Sequence, residues 1–118
     1  MVELESTAYS YYKLARAELE ACNPRAGYAA ALRAVAAARR ERSFYVLFSA
    51  SDYAIECVQH GALGLTWRWS QVEPFLDNME EALPHLKRWM PPARLQRWIE
   101  GYVAPLHEWR RLFAHSDR

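Results

Sequence analysis

The sequence predicts an all-α bundle, and three observations support this. Apolar residues recur at three- and four-residue steps through most of the chain. No stretch alternates apolar and polar residues as a half-buried strand does. Asn, Pro and Gly fall between the periodic stretches, where helices stop and start. The expected architecture is an up-down bundle of four or five antiparallel helices with short connections. The 118 residues suit a single domain, 1–118, with one core.

Residues 3–22 form the first expected helix, with Leu4, Ala8, Tyr11 or Tyr12, Ala15, Leu19 and Cys22 on its apolar side. Asn23-Pro24 ends it and starts the next, because Asn caps a helix and Pro suits its first position. The second helix is expected from Pro24 to Arg42, built around Tyr28, Leu32, Val35 and Ala36 and padded with alanine. Its end, Arg39-Arg40-Glu41-Arg42, reads as a solvated basic terminus that suits the helix dipole. Either Ser43 caps a third helix over 44–60 or the second helix continues. The density of Phe44, Val46, Leu47, Phe48, Ala50, Ala54, Ile55 and Val58 marks this segment as central and packed on more than one side. Asp52 and Glu56, four apart, read as surface or ion-pair groups rather than a metal pair.

Gly61 is placed as a C-terminal cap, with a loop to follow. Ser70-Gln-Val-Glu73 has capping-box spacing and predicts the start of a fourth helix carrying Phe75, Leu76, Met79, Leu83 and Leu86. Pro84 inside that pattern predicts a kink or a restart. Trp67 and Trp69 are expected to cover the bundle end. Pro91-Pro92 separates the last helix, which runs to His115 with Leu95, Trp98, Ile99, Tyr102, Leu106, Trp109 and Phe113 on one face. Gly101 and Pro105 predict a bend or short break near Ala104.

Composition excludes several function classes. The 52% apolar content provides for a core, which rules out a disordered chain. The net charge is +1, with seven basic and seven acidic residues through residue 59 and eight and seven beyond it. Bulk charge therefore cannot drive nucleic-acid binding, and such a role needs a local cluster or oligomerisation. Cys22 and Cys57 lack ligand spacing and read as two reduced, buried thiols. No metal site and no cofactor motif is apparent, and no glycine-rich phosphate loop, HExxH or GxSxG occurs. Met1-Val-Glu-Leu-Glu is acidic where a leader would be basic, and no apolar run matches a membrane span. A cytoplasmic protein is expected.

The chemical candidates lie at the end of the chain. His60 and His85 are isolated and read as surface or packing residues. His107, Arg111 and His115 are spaced by four, so a helix gathers them into a stripe about 80° wide, away from the apolar face. Histidine moves a proton near neutral pH, and arginine binds phosphate through paired hydrogen bonds. Together they match the needs of metal-independent RNA cleavage, which deprotonates a 2′-hydroxyl and stabilises a phosphorane. The same residues also make an ordinary basic helix end.

Arg110-Arg111-Leu112-Phe113-Ala114-His115 resembles the Arg-x4–6-His motif of the HEPN superfamily, and the Ala- and Tyr-rich early helices, Tyr9 to Ala38, are similar in style. The resemblance implies a small HEPN-like bundle that forms a homodimer and binds or cleaves RNA. Many members are toxins of toxin–antitoxin or defence systems, commonly partnered by a nucleotidyltransferase antitoxin. The resemblance gives Arg110 the scissile phosphate and His115 the role of general acid or base; Arg111 and His107, from the helical stripe, are the auxiliary substrate-binding candidates. Arg111 departs from the Asn, Asp or His often found at its position. On an unbroken helix Arg110 and His115 point about 140° apart. They share a phosphate only if the helix frays near Ala114 or a second subunit completes the site, and the second is the family's solution. Two alternatives stand beside this: a non-catalytic helical interaction module, and a substrate-binding subunit of a nucleotidyltransferase.

Overall fold

The computed structural model describes residues 6–114. Among these there is no strand. The helices are α1 (Thr7–Glu20), α2 (Pro24–Glu41), α3 (Phe44–Gln59), α4 (Trp69–Leu86), α5 (Pro92–Trp98) and α6 (Ala104–Phe113), with a π-helical turn at Ile99–Val103 between the last two. Consecutive helices of the first four pack on one another, with α1 also touching α3. Short connections at 21–23, 42–43 and 60–68 make these neighbours antiparallel. The run from α5 through α6 is a C-terminal arm that reaches α4 through its π turn and α6. No helix among the described residues is long and apolar enough to cross a membrane.

Local chemistry explains where the helices begin. Ser6 caps α1, its hydroxyl oxygen accepting the Tyr9 N–H at 3.2 Å. Glu41 arrives from the end of α2 and completes that cap: it accepts the Ala8 N–H at 2.9 Å and the Ser6 hydroxyl. A carboxylate at a helix N-terminus satisfies free amides and opposes the helix dipole. The basic end of α2 is thus not simply solvated. Arg39 also reaches α4, donating to Glu81 at 2.8 Å and to Asn78. Arg42 takes φ 56°, the left-handed conformation that ends α2, so α3 is separate and the second helix does not continue.

Two expectations about helix ends are corrected, and a third takes a specific form. α4 starts at Trp69, not Ser70, because the Arg68 N–H donates to the Gln71 side-chain oxygen at 2.8 Å. Glu73 instead accepts the Trp69 indole N–H at 2.6 Å. α4 runs through Pro84 to Leu86 without a restart, because Pro84 falls in its last turn. The break foreseen near Ala104 is a π turn, in which the Ala104 N–H bonds the Ile99 carbonyl. Pro105 lacks an N–H and its ring crowds the carbonyl four residues back, at Gly101; the wider turn accommodates both.

The core lies along α3, whose Val46, Leu47, Phe48, Ala50, Ala54, Ile55 and Val58 are all buried. Phe75, Leu76, Met79 and Leu86 of α4 meet it from one side. The alanines Ala30, Ala31, Ala34, Ala37 and Ala38 of α2 close the other at short range. Gly27 marks the closest approach: a Cβ there would lie 3.0 Å from the Cys57 Sγ and 3.3 Å from the Ala15 carbonyl oxygen. Cys57 is buried as expected, but Cys22 is exposed, because it sits in the α1–α2 turn with φ 64°.

Candidate functional site

The side chains of the C-terminal candidates take different partners. The Arg110 Nη2 donates to the His107 Nδ1 at 2.8 Å, which requires that nitrogen to be unprotonated. The Glu80 Oε1 of α4 lies 3.6 Å from both the Arg110 Nη1 and the His107 Nε2. That oxygen is screened from water and has no hydrogen bond, so the Arg110 guanidinium compensates its charge by Coulomb attraction. Arg111 turns the other way, to Glu108, which accepts its Nε–H at 3.2 Å. The Glu108 carboxyl is held below its ordinary range by that arginine. The structure therefore joins Arg110 to His107 and gives Arg111 a different partner, Glu108; His115 lies outside the described residues. A phosphate reaching Arg110 must compete with Glu80.

Trp67, Trp69 and His85 take packing roles. Trp69 is buried, and Trp67 packs on Trp109 with ring centroids 5.6 Å apart, so both cover the bundle end as expected. His85 stacks on Phe44 at 3.6 Å. Burial, and then Glu56, push the Cys57 thiol up to about 11, which excludes it as a nucleophile.

A different site emerges where α1, α3 and the π turn meet. A cleft of about 240 Å³ is lined by Tyr12, Tyr45, Phe48, Ser49, Asp52, Tyr53, Glu56, Trp98 and Tyr102. Its rings form a connected wall. Tyr12 stands 5.6 Å from Tyr53 and 6.4 Å from Tyr45, both edge to face. Tyr45 is 5.7 Å from Trp98, which is 5.0 Å from Phe48 and 6.2 Å from Tyr102. Helical spacing produces the wall: Tyr45, Phe48, Ser49, Asp52, Tyr53 and Glu56 recur three and four apart on one face of α3. The π turn then sets Tyr102 beside Trp98 from the arm.

Two carboxylates complete the cleft. Asp52 and Glu56 are half-buried and, among the described residues, take no hydrogen bond or ion pair. Burial, and then the neighbouring charge of Glu56, raise the Asp52 carboxyl from 3.8 to about 7. The Tyr12 phenol is pushed up to about 12, chiefly by burial, and stays neutral. The same two carboxylates and Tyr102 also line a shallower hollow that continues along Gly101, Pro105, Leu106 and Trp109. They therefore stand where two hollows join.

The reading of Asp52 and Glu56 as surface or ion-pair groups is corrected. They face the cleft, and the arm that covers them joins α3 from a distant part of the chain. No group of three or more His, Cys, Asp or Glu that could hold a metal occurs among the described residues. The signal in the sequence was the i, i+4 pair Asp52/Glu56 amid Tyr45, Phe48 and Tyr53. It became legible only once Trp98 and Tyr102 were known to face it. Comparison with protein-family models, with curated proteins and with solved structures finds no match.

Proposed function

We propose that this chain is a small-molecule-binding helical module whose site is the cleft between α1, α3 and the π turn. One observation carries the reading: aromatic rings line a cleft that holds two half-buried carboxylates, which take no hydrogen bond or ion pair among the described residues. Leaving a half-buried carboxylate without a partner is costly, and such groups concentrate at binding and catalytic sites. The residues lining the cleft include no Cys, His or Lys, and the reading favoured is binding. The test is a ligand-observed NMR screen of small cationic, neutral and anionic compounds against the wild type and Tyr102→Ala. Tyr102 is 43% exposed, so its loss opens the wall and spares the core. Hits that vanish in Tyr102→Ala support the site; no hits, or hits that the variant keeps, overturn it.

A second reading rests on the Arg110–His107 contact at 2.8 Å, which positions a guanidinium beside an imidazole at one end of the molecule. It is the HEPN-like one: a homodimer binding or cleaving RNA, a toxin with a nucleotidyltransferase antitoxin as partner. Arg110 holds phosphate after displacing Glu80, and His115 of the facing subunit moves the proton. It predicts RNA cleavage in the presence of a metal chelator, lost in both His115→Ala and Arg110→Ala. Cleavage unchanged in His115→Ala, or no cleavage by the wild type, sinks it.

A further inference from the structure

We infer that the occupant of the cleft is an organic ammonium ion carrying alkyl substituents, held over the faces of Tyr12, Tyr45, Trp98 and Tyr102 and balanced by Asp52 and Glu56. The inference rests on the proposal that this cleft is the binding site. Aromatic faces carry negative quadrupole charge and attract cations within about 6 Å of the ring centroid. The surroundings already show this preference. Arg94 lies 5.5 Å from the Trp98 centroid, and Lys13 lies 5.4 Å from that of Tyr9, next to Tyr12.

The alternatives fit less well. An anion meets two carboxylates and ring faces of the same sign. A neutral apolar molecule leaves the carboxylates unexplained. A hard metal ion needs about six or more oxygen ligands, and aromatic walls supply none. A methylated ammonium satisfies both features, since its charge answers the carboxylates and its methyl groups pack on rings. At about 240 Å³ the cleft suits a head group, and the adjoining hollow of about 200 Å³ gives a tail somewhere to lie.

Every charged or titratable group facing Asp52 permits this. On α3 these are Tyr45, Tyr53 and Glu56, on the π turn Tyr102, and on α1 Tyr12 and Arg16. Arg16 acts on Tyr12 and Tyr53, and Glu20 pairs with it at 3.1 Å. Arg94 shares the Trp98 ring, but among the described residues no cation pairs with Asp52, on which burial and then Glu56 act. A bound cation favours the ionised carboxylate. Its affinity therefore rises with pH through the neutral range, and binding below that range releases a proton.

Choline is the probe, with 3,3-dimethylbutan-1-ol as its uncharged isostere; choline keeps its charge at every pH used. Calorimetric titration of the full chain is expected to show choline binding at least about tenfold tighter than the isostere. Asp52→Asn should weaken choline about tenfold and abolish the pH dependence. Isostere binding as tight as choline, or an Asp52→Asn variant that binds choline unchanged, overturns the inference. If neutral or anionic compounds bind in a Tyr102-dependent way while choline does not, the cation assignment falls and the cleft remains a site. If nothing binds the cleft, both fall. Because Asp52→Asn removes a buried charge, the variant is expected to fold.

Discussion

Asp52 is the residue whose environment is least expected from its type. Its carboxyl is raised to about 7, first by burial and then by Glu56, so ionising it opposes folding. The sign follows from proton counting. Below about pH 4 the group is protonated in both the folded and the unfolded chain and has no effect. Between about pH 4 and about pH 7 the unfolded chain ionises first, the folded chain holds more protons, and stability falls as pH rises. Above that window the loss is constant. Asp52→Asn should therefore raise stability at about pH 8 by on the order of 2 kcal/mol, with solvent access to the cleft reducing the full shift, and leave it nearly unchanged at about pH 4. Urea denaturation at the two pH values checks this. A variant no more stable than wild type at the higher pH contradicts a penalised carboxylate.

At the scale of elements, the close packing of α1, α2 and α3 depends on small residues. Gly27 is the tightest point, since a Cβ there meets the Cys57 Sγ at 3.0 Å and the Ala15 carbonyl oxygen at 3.3 Å. Gly27→Val would force the helices apart and should cost about 1–3 kcal/mol, read as a lower denaturation midpoint. An unchanged midpoint would mean that α2 can move away freely. The sequence made much of this level legible. The alanine-rich stretch of α2 announced close packing, and the density of Phe44 to Val58 announced a central helix. Capping was less legible. The N-terminus of α1 is closed by Glu41, thirty-three residues beyond Ala8, and no local pattern encodes that. Gln71 rather than Glu73 makes the cap of α4, because the Trp69 indole takes Glu73.

At the scale of the molecule, the four-helix body and the arm differ in how firmly they are held. The body buries most of the core, whereas the arm contributes Leu95, Val103, Leu106 and Ala114. The radius of gyration, 14.5 Å, exceeds the roughly 13.5 Å expected for a compact chain of this length, in keeping with extents of 53 × 33 × 22 Å. Local opening follows the thinnest burial, so amides of α5 and α6 should exchange with solvent faster than those of α3, by about tenfold or more. Trp98 and Tyr102 are arm residues in the cleft wall, so a bound ligand should slow exchange in the arm and leave α4 unaffected. Uniform exchange across the chain would contradict a separately opening arm.

Periodicity and breakers in the sequence determined that this protein is helical, roughly where its helices stop, and that α3 is central, because those properties follow from local spacing. The sequence also supplied the residues of the C-terminal cluster, but not their pairing. Arg110 turns to His107 and Glu80 because α4 places a carboxylate beside α6. The cleft was decided by tertiary structure alone. Tyr12, Asp52 and Tyr102 come from three segments, and no short-range pattern connects them. Only the packing of the arm against α3 makes two acids that read as surface groups and a scatter of aromatics into one cleft.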